Sequence, residues 1–233
     1  MTKRLGFAVL FVCAALFVTA PPAAAQQTFN LTLGHFSPRG EDARVNGDVL
    51  VANRDFLTFD ISELGGPSVG AEWLIPLGNF FEAGAGISFS RRTVPSIYTG
   101  FRDSDGTEID QDLRLRILPM ALTVRVLPFG RSSGVQPYFG AGLGVFNWRY
   151  SESGEFVDFG AGRRIFRDSF VADGNETGPV ALGGIRFASD SFSAGGEVRY
   201  QSASADLDNR FAGSKIDLGG WTYQLTLGLR FGR

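Results

Sequence analysis

The chain has 233 residues, of which 31 are glycine and 22 are phenylalanine, and it carries 22 basic side chains, 24 acidic side chains and one cysteine. The lack of a basic block argues against nucleic-acid binding, and a single cysteine allows neither a disulfide framework nor a thiolate metal site. Many turn-forming glycines combined with many aromatic residues are typical of an all-β chain.

The first 25 residues have the pattern of a cleaved secretory signal. Lys3 and Arg4 precede an apolar run from Leu5 to Val18, and an A-x-A site ends at Ala25. The run is too short for a membrane-spanning helix, which needs roughly 20 residues. We therefore predict a signal peptide at 1–25 and one mature domain at 26–233.

Eight segments of the mature chain alternate apolar and polar residues with the period of two that marks a β-strand. They are predicted at about 28–36, 68–77, 81–90, 113–126, 137–150, 178–187, 192–201 and 217–231. No apolar run after Ala25 reaches the length of a membrane helix, so a mature chain that spans a bilayer would do so as a closed barrel.

Long and short connections alternate along the chain, as in membrane barrels. The short turns lie near Gly78, Gly130 and Asp190, and the long polar connections are predicted at 38–66, 91–112, 151–177 and 202–216. The apolar pieces in the first long connection are expected to extend the flanking strands, and ten strands remain possible if 49–61 forms an extra hairpin. The parity of apolar residues switches beside Pro119, which predicts a β-bulge there.

A soluble barrel of the lipocalin type is the alternative architecture, with its apolar face turned inward. The glycines argue against it because they alternate in step with the polar side chains, an arrangement that suits a narrow lumen. These glycines are Gly84, Gly86, Gly140, Gly142, Gly144 and Gly195. We predict an eight-stranded antiparallel transmembrane β-barrel with short periplasmic turns and four longer extracellular loops.

Two segments carry a family resemblance. The last strand, with Trp221, Tyr223, Leu225 and Phe231 on one face, resembles the C-terminal strand of bacterial outer-membrane barrels, although Phe231 is followed by two more residues. The segment PYFGAGLGVFNWRY, at 137–150, also resembles that group. The chain thus resembles the small OmpA/OmpX-type outer-membrane β-barrel domains, with OmpW-like proteins as a related possibility.

This resemblance implies a location in the outer membrane of a Gram-negative cell. It implies contact with outer-membrane lipid and lipopolysaccharide, and recognition of the last strand by the barrel-assembly machinery. It also implies a monomeric, non-enzymatic protein without a cofactor, and a surface ligand could bind its extracellular loops.

Seven charged residues are predicted to point into the lumen, most of them near the short turns. They are Glu72, Glu82, Arg125, Arg186, Glu197, Arg199 and Arg230. Because an eight-stranded barrel is just wide enough for side chains and unpaired buried charges are costly, we predict a salt-bridge network that fills the lumen. The same charges could instead line a narrow ion path.

One pair of residues has an enzymatic interpretation. His35 and Ser37 share a strand face, and an H-x-S pair resembles the catalytic pair of lipid A deacylases, with Asp217 as the nearby candidate acid. In that family the pair lies late in the chain, whereas here it closes the first strand. Rim residues before a turn are the ordinary interpretation, and no catalytic residue is assigned.

Two further motifs fail on closer inspection. The acidic segment from Asp103 to Asp112 places Phe101 where a calcium loop needs its first carboxylate, so no metal site is predicted. The glycine run from Gly140 to Gly144 is followed by Val145, which breaks the phosphate-binding pattern G-x-G-x-x-G.

The sequence therefore predicts a non-enzymatic outer-membrane barrel with an envelope-structural or surface-recognition role. Such a role would depend on the loops, which carry function on rigid scaffolds. In the third long loop, Phe156, Phe159, Phe166 and Phe170 are expected to form a cap or a contact surface. The alternative is a narrow OmpW-like channel for small or apolar molecules, which requires a less polar lumen.

Overall fold

Eight antiparallel strands close into a barrel in this computed structural model, which describes residues 26–158, 160 and 162–232. The barrel strands are β1 (Gln27–Pro38), β3 (Gly66–Pro76), β4 (Phe81–Arg102), β5 (Glu108–Val126), β6 (Val135–Asp158), β7 (Arg164–Ala188), β8 (Phe192–Gln201) and β11 (Gly220–Phe231). The connections contain β2 (Leu57–Thr58), β9 (Ser204–Asp206), β10 (Lys215–Asp217) and the short helix α1 (Val49–Asn53). Two 3-10 turns lie at Glu41–Ala43 and Ile61–Leu64.

Pairing of the first and last strands closes the barrel, as the sequence predicts. Leu31 in β1 lies opposite Leu227 in β11, and β5 pairs with β4 on the far side of the ring. The eight-stranded fold is confirmed, and the 49–61 region adds no hairpin to the wall. In the described part of the chain, no helix is long and apolar enough to cross a membrane.

A belt of exposed apolar side chains surrounds the barrel. Leu143 is 71% exposed and Leu225 is 68% exposed, and the neighbouring strands contribute similar residues. The belt includes Phe29, Leu31, Trp73, Phe81, Ile87, Leu122, Val124, Phe139, Phe187, Phe192, Tyr223, Leu227 and Phe231. A closed surface of this kind suits contact with lipid, and it gives the transmembrane barrel its orientation.

The wall of the barrel is much taller on one side. Strands β4 to β7 contain 22, 19, 24 and 25 residues, whereas β1, β3, β8 and β11 contain 10 to 12. At roughly 3.3 Å per residue, β6 extends for about 80 Å, more than twice a bilayer core of about 30 Å. We call the end with this extension the long-loop end and the opposite end the short-turn end.

Two of the predicted loops are wrong, because most of their residues form strands of the tall wall. The predicted loop at 91–112 is strand except for a turn at 103–107, and the predicted loop at 151–177 is a long hairpin that turns between Asp158 and Arg164. Charged residues are compatible with a strand here because one face of the wall is solvated above the belt. The other face remains apolar, with Val94 and Tyr98 buried.

The predicted β-bulge at Pro119 is wrong. Leu118, Pro119 and Met120 pair in unbroken register with Asn147, Phe146 and Val145 of β6. Odd-numbered residues of β5 point inward throughout, from Leu113 to Arg125. The apolar residues change faces at this point because the barrel interior is apolar at the long-loop end and polar within the belt.

The first long connection folds into the mouth of the barrel. Val49, Leu50 and Val51, which were expected to extend a strand, form the first turn of α1 instead. The next apolar piece does not extend a flanking strand either: Leu57 and Thr58 form the separate strand β2, which pairs with Tyr98 and Ile97 of β4.

Candidate functional site: the lumen and its apolar cap

Two arginines and two glutamates form a closed ring across the lumen. Arg125 Nη2 contacts Glu72 and lies 2.7 Å from Glu197 Oε2. Arg199 Nη2 completes the ring at 3.1 Å from Glu72 Oε1 and 2.9 Å from Glu197 Oε1. The four residues come from β3, β5 and β8, and their formal charges cancel. We call this arrangement the lumenal ring.

Neutral side chains support the ring. Tyr138 donates its hydroxyl to Glu197 Oε2 at 3.1 Å, and Gln224 Nε2 donates to Glu197 Oε1 at 2.9 Å. The guanidinium of Arg125 lies 4.7 Å from the centre of the Tyr138 ring, a cation–π arrangement. Arg125 Nε and Nη1 are buried without a hydrogen-bond partner among the described residues, so burying the lumenal ring carries a desolvation cost.

A second charge cluster lies toward the short-turn end. Arg186 Nη2 is 2.6 Å from Glu82 Oε1, and Arg131 Nε in the turn after β5 is 3.2 Å from the same oxygen. Gln136 Oε1 accepts a hydrogen bond of 2.7 Å from Arg186 Nε. The cluster includes Arg131 and Gln136, which the sequence analysis did not single out.

The structure therefore brings together six of the seven predicted lumenal charges, in two groups. Arg230 forms no ion pair with either group among the described residues; it lies at the short-turn rim, where it donates to the carbonyl oxygen of Ser189. Small residues make room for the groups: Gly84 lies against Glu72 and Thr123, and Gly142 lies against the backbone of Leu122.

An apolar core fills the interior above the ring. Val49 and Leu50 of α1 have no exposed surface, and Phe146 and Trp148 of β6 point into the same core. The segment before β11 contributes to it too, and the core includes Phe36, Ile61, Leu64, Leu115, Ile117, Tyr150, Val180, Phe211, Ile216 and Leu218. We call α1 with this packed interior the cap.

Asp48 holds the cap in place. Its carboxylate accepts hydrogen bonds from the amides of Leu50 and Val51 at the start of α1, and from the amide of Asp217 at 2.6 Å. Arg44 donates to both Asp48 oxygens, at 2.8 and 3.0 Å, and to the Asp217 carbonyl oxygen at 2.9 Å. These bonds join the first connection to the last one.

A buried carboxylate fixes the other end of α1. Glu152 Oε1 accepts hydrogen bonds of 2.7 Å from both Asn53 Nδ2 and the Tyr150 hydroxyl, and Oε2 accepts one of 3.2 Å from Gln111 Nε2. All three donors are neutral. Burial above the belt raises the pKa of Glu152, because it penalises the charged form more than the hydrogen bonds favour it.

The cap residues were missed at the sequence level. Asp48 directly before an apolar run has the pattern of a helix N-cap, so this residue could have been found. Asn53 and Glu152 gave no signal, because they lie 99 positions apart in the sequence. Arg44 pairs with Asp48 only four residues later, but this spacing indicates a pair only within a helix, and Arg44 lies before α1.

The structure does not assemble the enzymatic interpretation of His35 and Ser37. His35 is exposed on the outer surface, whereas Asp217 is 1% exposed on the inside. The Asp217 carboxylate is bonded to Arg39 at 3.0 Å and to the amides of Val45 and Gly219. Asp217, the candidate acid of the enzymatic interpretation, therefore stabilises the connections around the cap instead.

In the acidic segment from Asp103 to Asp112, side chains of the turn form hydrogen bonds with their own neighbours. Asp105 Oδ1 accepts hydrogen bonds from the amide and hydroxyl of Thr107, and Asp103 Oδ1 accepts one from the amide of Ser104. Gly106 takes the positive φ of 88° that the turn requires. Within the described residues, no group of three or more His, Cys, Asp or Glu side chains could hold a metal ion.

Phe156, Phe166 and Phe170 of the third predicted loop belong to the tall wall. Phe156 stacks on Phe166 with ring centres 5.7 Å apart and meets Phe170 edge-on at 4.8 Å, and Phe170 contacts Phe211. Phe159 lies outside the described residues. On β11, Trp221, Tyr223, Leu225 and Phe231 all point outward in the belt.

Comparison with known proteins gives one informative similarity. No family model matches the chain, and no curated protein matches it. The outer membrane protein OprG from Pseudomonas aeruginosa is similar in structure, with a TM-score of 0.52 and 14% sequence identity, over 90% of this chain and 97% of that one. At this identity the similarity shows the fold, that of an outer-membrane β-barrel.

Two other solved structures give lower scores. Escherichia coli outer membrane protein W has a TM-score of 0.45 and 16% identity, covering 90% of this chain and 100% of that one. Neisserial surface protein A has a TM-score of 0.44 and 12% identity, covering 89% and 97%.

Proposed function

We propose that this protein is an integral outer-membrane barrel whose lumen is closed to ions and solutes, and whose role lies at the cell surface. The observation that carries the proposal is the stacking of two obstructions in one lumen. The lumenal ring crosses the barrel within the belt, and the apolar cap fills the interior above it. A permeating ion would have to break paired charges and then cross an apolar core.

The tall wall is the part best suited to a surface role. Strands β6 and β7 pair without a break from Val135 to Asp158, so the hairpin extends beyond the membrane as a rigid element. A rigid platform reduces the entropy that a partner must overcome on binding. This extension would carry the envelope-structural or recognition role. During insertion, β11 would be recognised by the barrel-assembly machinery.

Single-channel recording tests the closed lumen. The mature chain, residues 26–233, would be refolded into vesicles, checked for the gel-mobility shift on boiling that folded barrels give, and fused with a planar bilayer. We expect no stepwise conductance from the wild type. A variant with Arg125, Glu197, Glu82 and Arg186 replaced by alanine, and residues 44–55 replaced by a short Gly-Ser linker, breaks both charge groups and removes α1. We expect it to conduct, which would show that the barrel inserts under these conditions. Steady conductance steps from the wild type would overturn the proposal.

A narrow channel for small apolar molecules remains the competing function. The apolar interior of the long-loop end favours it, since such a lining would accept an apolar solute. The lumenal ring opposes it, because four charged side chains cross the path toward the short-turn end. Release of a small apolar dye from vesicles that contain the wild-type barrel, faster than from protein-free vesicles, would favour the channel.

A further inference from the structure

Arginines form a row on the outer surface of the tall wall. Arg91 of β4 lies opposite Arg116 of β5, and Arg116 lies opposite Arg149 of β6. Directly paired residues of neighbouring antiparallel strands have Cβ atoms about 4.5–5.5 Å apart. Arg114 follows on the same face of β5, paired with Thr93. Four positive charges are therefore concentrated on a small area of one sheet, and we call these four residues the arginine row.

No acidic side chain neutralises this row. Arg114 Nε donates to the hydroxyl of Thr93 at 3.0 Å, and Arg116 Nη2 donates to Asn147 Oδ1 at 2.9 Å, so both partners are neutral. Arg116 Nε is buried and has no hydrogen-bond partner in the part of the chain that the structure describes. Among the described residues, none of the four arginines forms an ion pair with a carboxylate.

The nearest acidic residues by strand register do not change this conclusion. Asp173 of β7 lies opposite Arg149, and Asp112 lies two residues before Arg114 on the same face of β5, yet both are exposed and neither forms an ion pair with an arginine of the row. Like charges placed side by side across strands destabilise a sheet. A bound anion would remove that repulsion.

The row borders the lipid-facing belt. Phe89 lies two residues before Arg91 on the outer face of β4, and Leu118 lies two residues from Arg116 on the outer face of β5. On the side of the barrel with the shorter strands, the arginine at the rim is already paired. Arg39 forms an ion pair with Asp217 and lies over the aromatic ring of Tyr200. The uncompensated charge is thus on one side of the barrel, at the level where lipid headgroups begin.

We infer that Arg91, Arg114, Arg116 and Arg149 form a binding surface for the phosphate groups of lipids in the outer leaflet. The inference rests on the proposed outer-membrane location. Guanidinium groups bind phosphate oxygens with two parallel hydrogen bonds, and arginine suits this better than lysine. The strand register holds the four side chains at fixed spacing, and the belt below them would contact the acyl chains of the same lipid.

Vesicles of defined composition test the inference. The mature chain would be refolded in phosphatidylcholine vesicles that contain lipid A with two phosphate groups, the same lipid without phosphates, or no lipid A. Two readouts are measured: the temperature at which the gel-mobility shift is lost, and the lipid retained by the barrel in native mass spectrometry. We expect phosphorylated lipid A alone to raise the temperature and to remain bound, while inorganic phosphate in the buffer does neither.

The variant Arg91→Gln/Arg116→Gln/Arg149→Gln is expected to bind phosphorylated lipid A about 100-fold more weakly, since each basic residue near an anionic surface contributes about 1 kcal/mol. Its matched control, Arg163→Gln/Arg164→Gln/Arg167→Gln, removes the same charge from the far end of the wall and should bind like the wild type. Equal binding by the row variant and the wild type, or equal loss in both variants, would overturn the inference. If the wild type showed no gel-mobility shift in any vesicle, the proposed membrane function would fail instead.

Discussion

Arg125 and Glu197 meet inside the barrel with Nη2 2.7 Å from Oε2, and neither side chain has any exposed surface. They come from β5 and β8, which are separated by two strands in the barrel, so this one contact joins distant parts of the wall. Removing one member leaves the other charged, buried and incompletely paired, a situation that typically costs about 3–5 kcal/mol.

The lumenal ring should therefore be strongly coupled. We expect Glu197→Leu and Arg125→Met each to lower the free energy of unfolding by about 3–5 kcal/mol, and the double variant to lose less than the sum of the two. Glu72 and Arg199 can still pair in the double variant, because they lie 3.1 Å apart. Urea unfolding in micelles, followed by tryptophan fluorescence, measures all three. Additive losses would show that the two residues act independently.

The cap should come loose without Asp48. Asp48→Ala removes the N-cap of α1, the partner of Arg44 and the acceptor for the amide of Asp217. We expect proteolytic cleavage within 44–55 to become at least tenfold faster, since loss of an N-cap alone costs about 1 kcal/mol and the lost ion pair adds to it. The gel-mobility shift should remain. Asp42→Ala, an exposed position in the same connection, is the control and should cleave like the wild type.

Stability of the cap should depend on pH through Glu152. Because the pKa of Glu152 is raised in the folded protein, its contribution to stability is fully present below the ordinary value of 4.5 and is lost as the pH rises through the raised value. Hydrogen exchange of α1 should therefore be slower near pH 4 than near pH 8, once corrected for the intrinsic exchange rate.

Glu152→Gln should flatten that dependence, because the amide cannot ionise. Gln111 Oε1, which is buried without a partner, could accept a hydrogen bond from the new amide after a rotation. The control is Glu155→Gln, a partly exposed position on the same strand that is expected to retain the wild-type profile. An unchanged profile in Glu152→Gln would assign the dependence to another group.

Glycine is required at one lumenal position and replaceable at one position on the outer face, since Gly196 lies opposite the outward-facing Leu225. A Cβ on Gly142 would collide with the carbonyl oxygen of Leu122 and lie 2.7 Å from Thr123 Cα, whereas one on Gly196 would meet nothing. We expect Gly142→Ala to destabilise the barrel by at least about 1–3 kcal/mol, the usual cost of overpacking. Gly196→Ala should be neutral. Equal unfolding midpoints for the two variants would contradict the close approach of β5 and β6.

The lipid-facing surface gives a prediction that depends on depth. Leu225→Arg places a charge in the belt and should cost about 2–4 kcal/mol in vesicles. Ser169→Arg places the same charge on the exposed outer face of β7 above the belt, opposite Ser153, and should cost less than about 1 kcal/mol. Similar costs for both would mean that Leu225 does not face lipid.

The local alternation of apolar and polar residues was sufficient to predict the number of strands and to predict that the lumenal charges point inward. Glu72 and Glu197 alternate with apolar neighbours, and a strand turns successive side chains to opposite sides whatever surrounds it. That rule predicted the shared face of Val180, Leu182 and Arg186, all three of which are buried inside the barrel.

Alternation did not reveal what each face would contact. The odd-numbered residues of β5 point inward throughout, yet they are apolar beside the cap and polar in the belt, and the change was misinterpreted as a bulge at Pro119. The lengths of β4 to β7 were underestimated for the same reason, since charged residues on a solvated strand face look like a loop.

The sequence by itself determined the barrel, its eight strands and the inward position of the charges, because these depend on a period of two that operates between adjacent residues. Only the tertiary structure decided that the charges close into a ring, that α1 caps the lumen and that three arginines align on the outer wall. Those features depend on strand register and on contacts between segments far apart in the chain, such as Asn53 with Glu152 and Arg125 with Glu197.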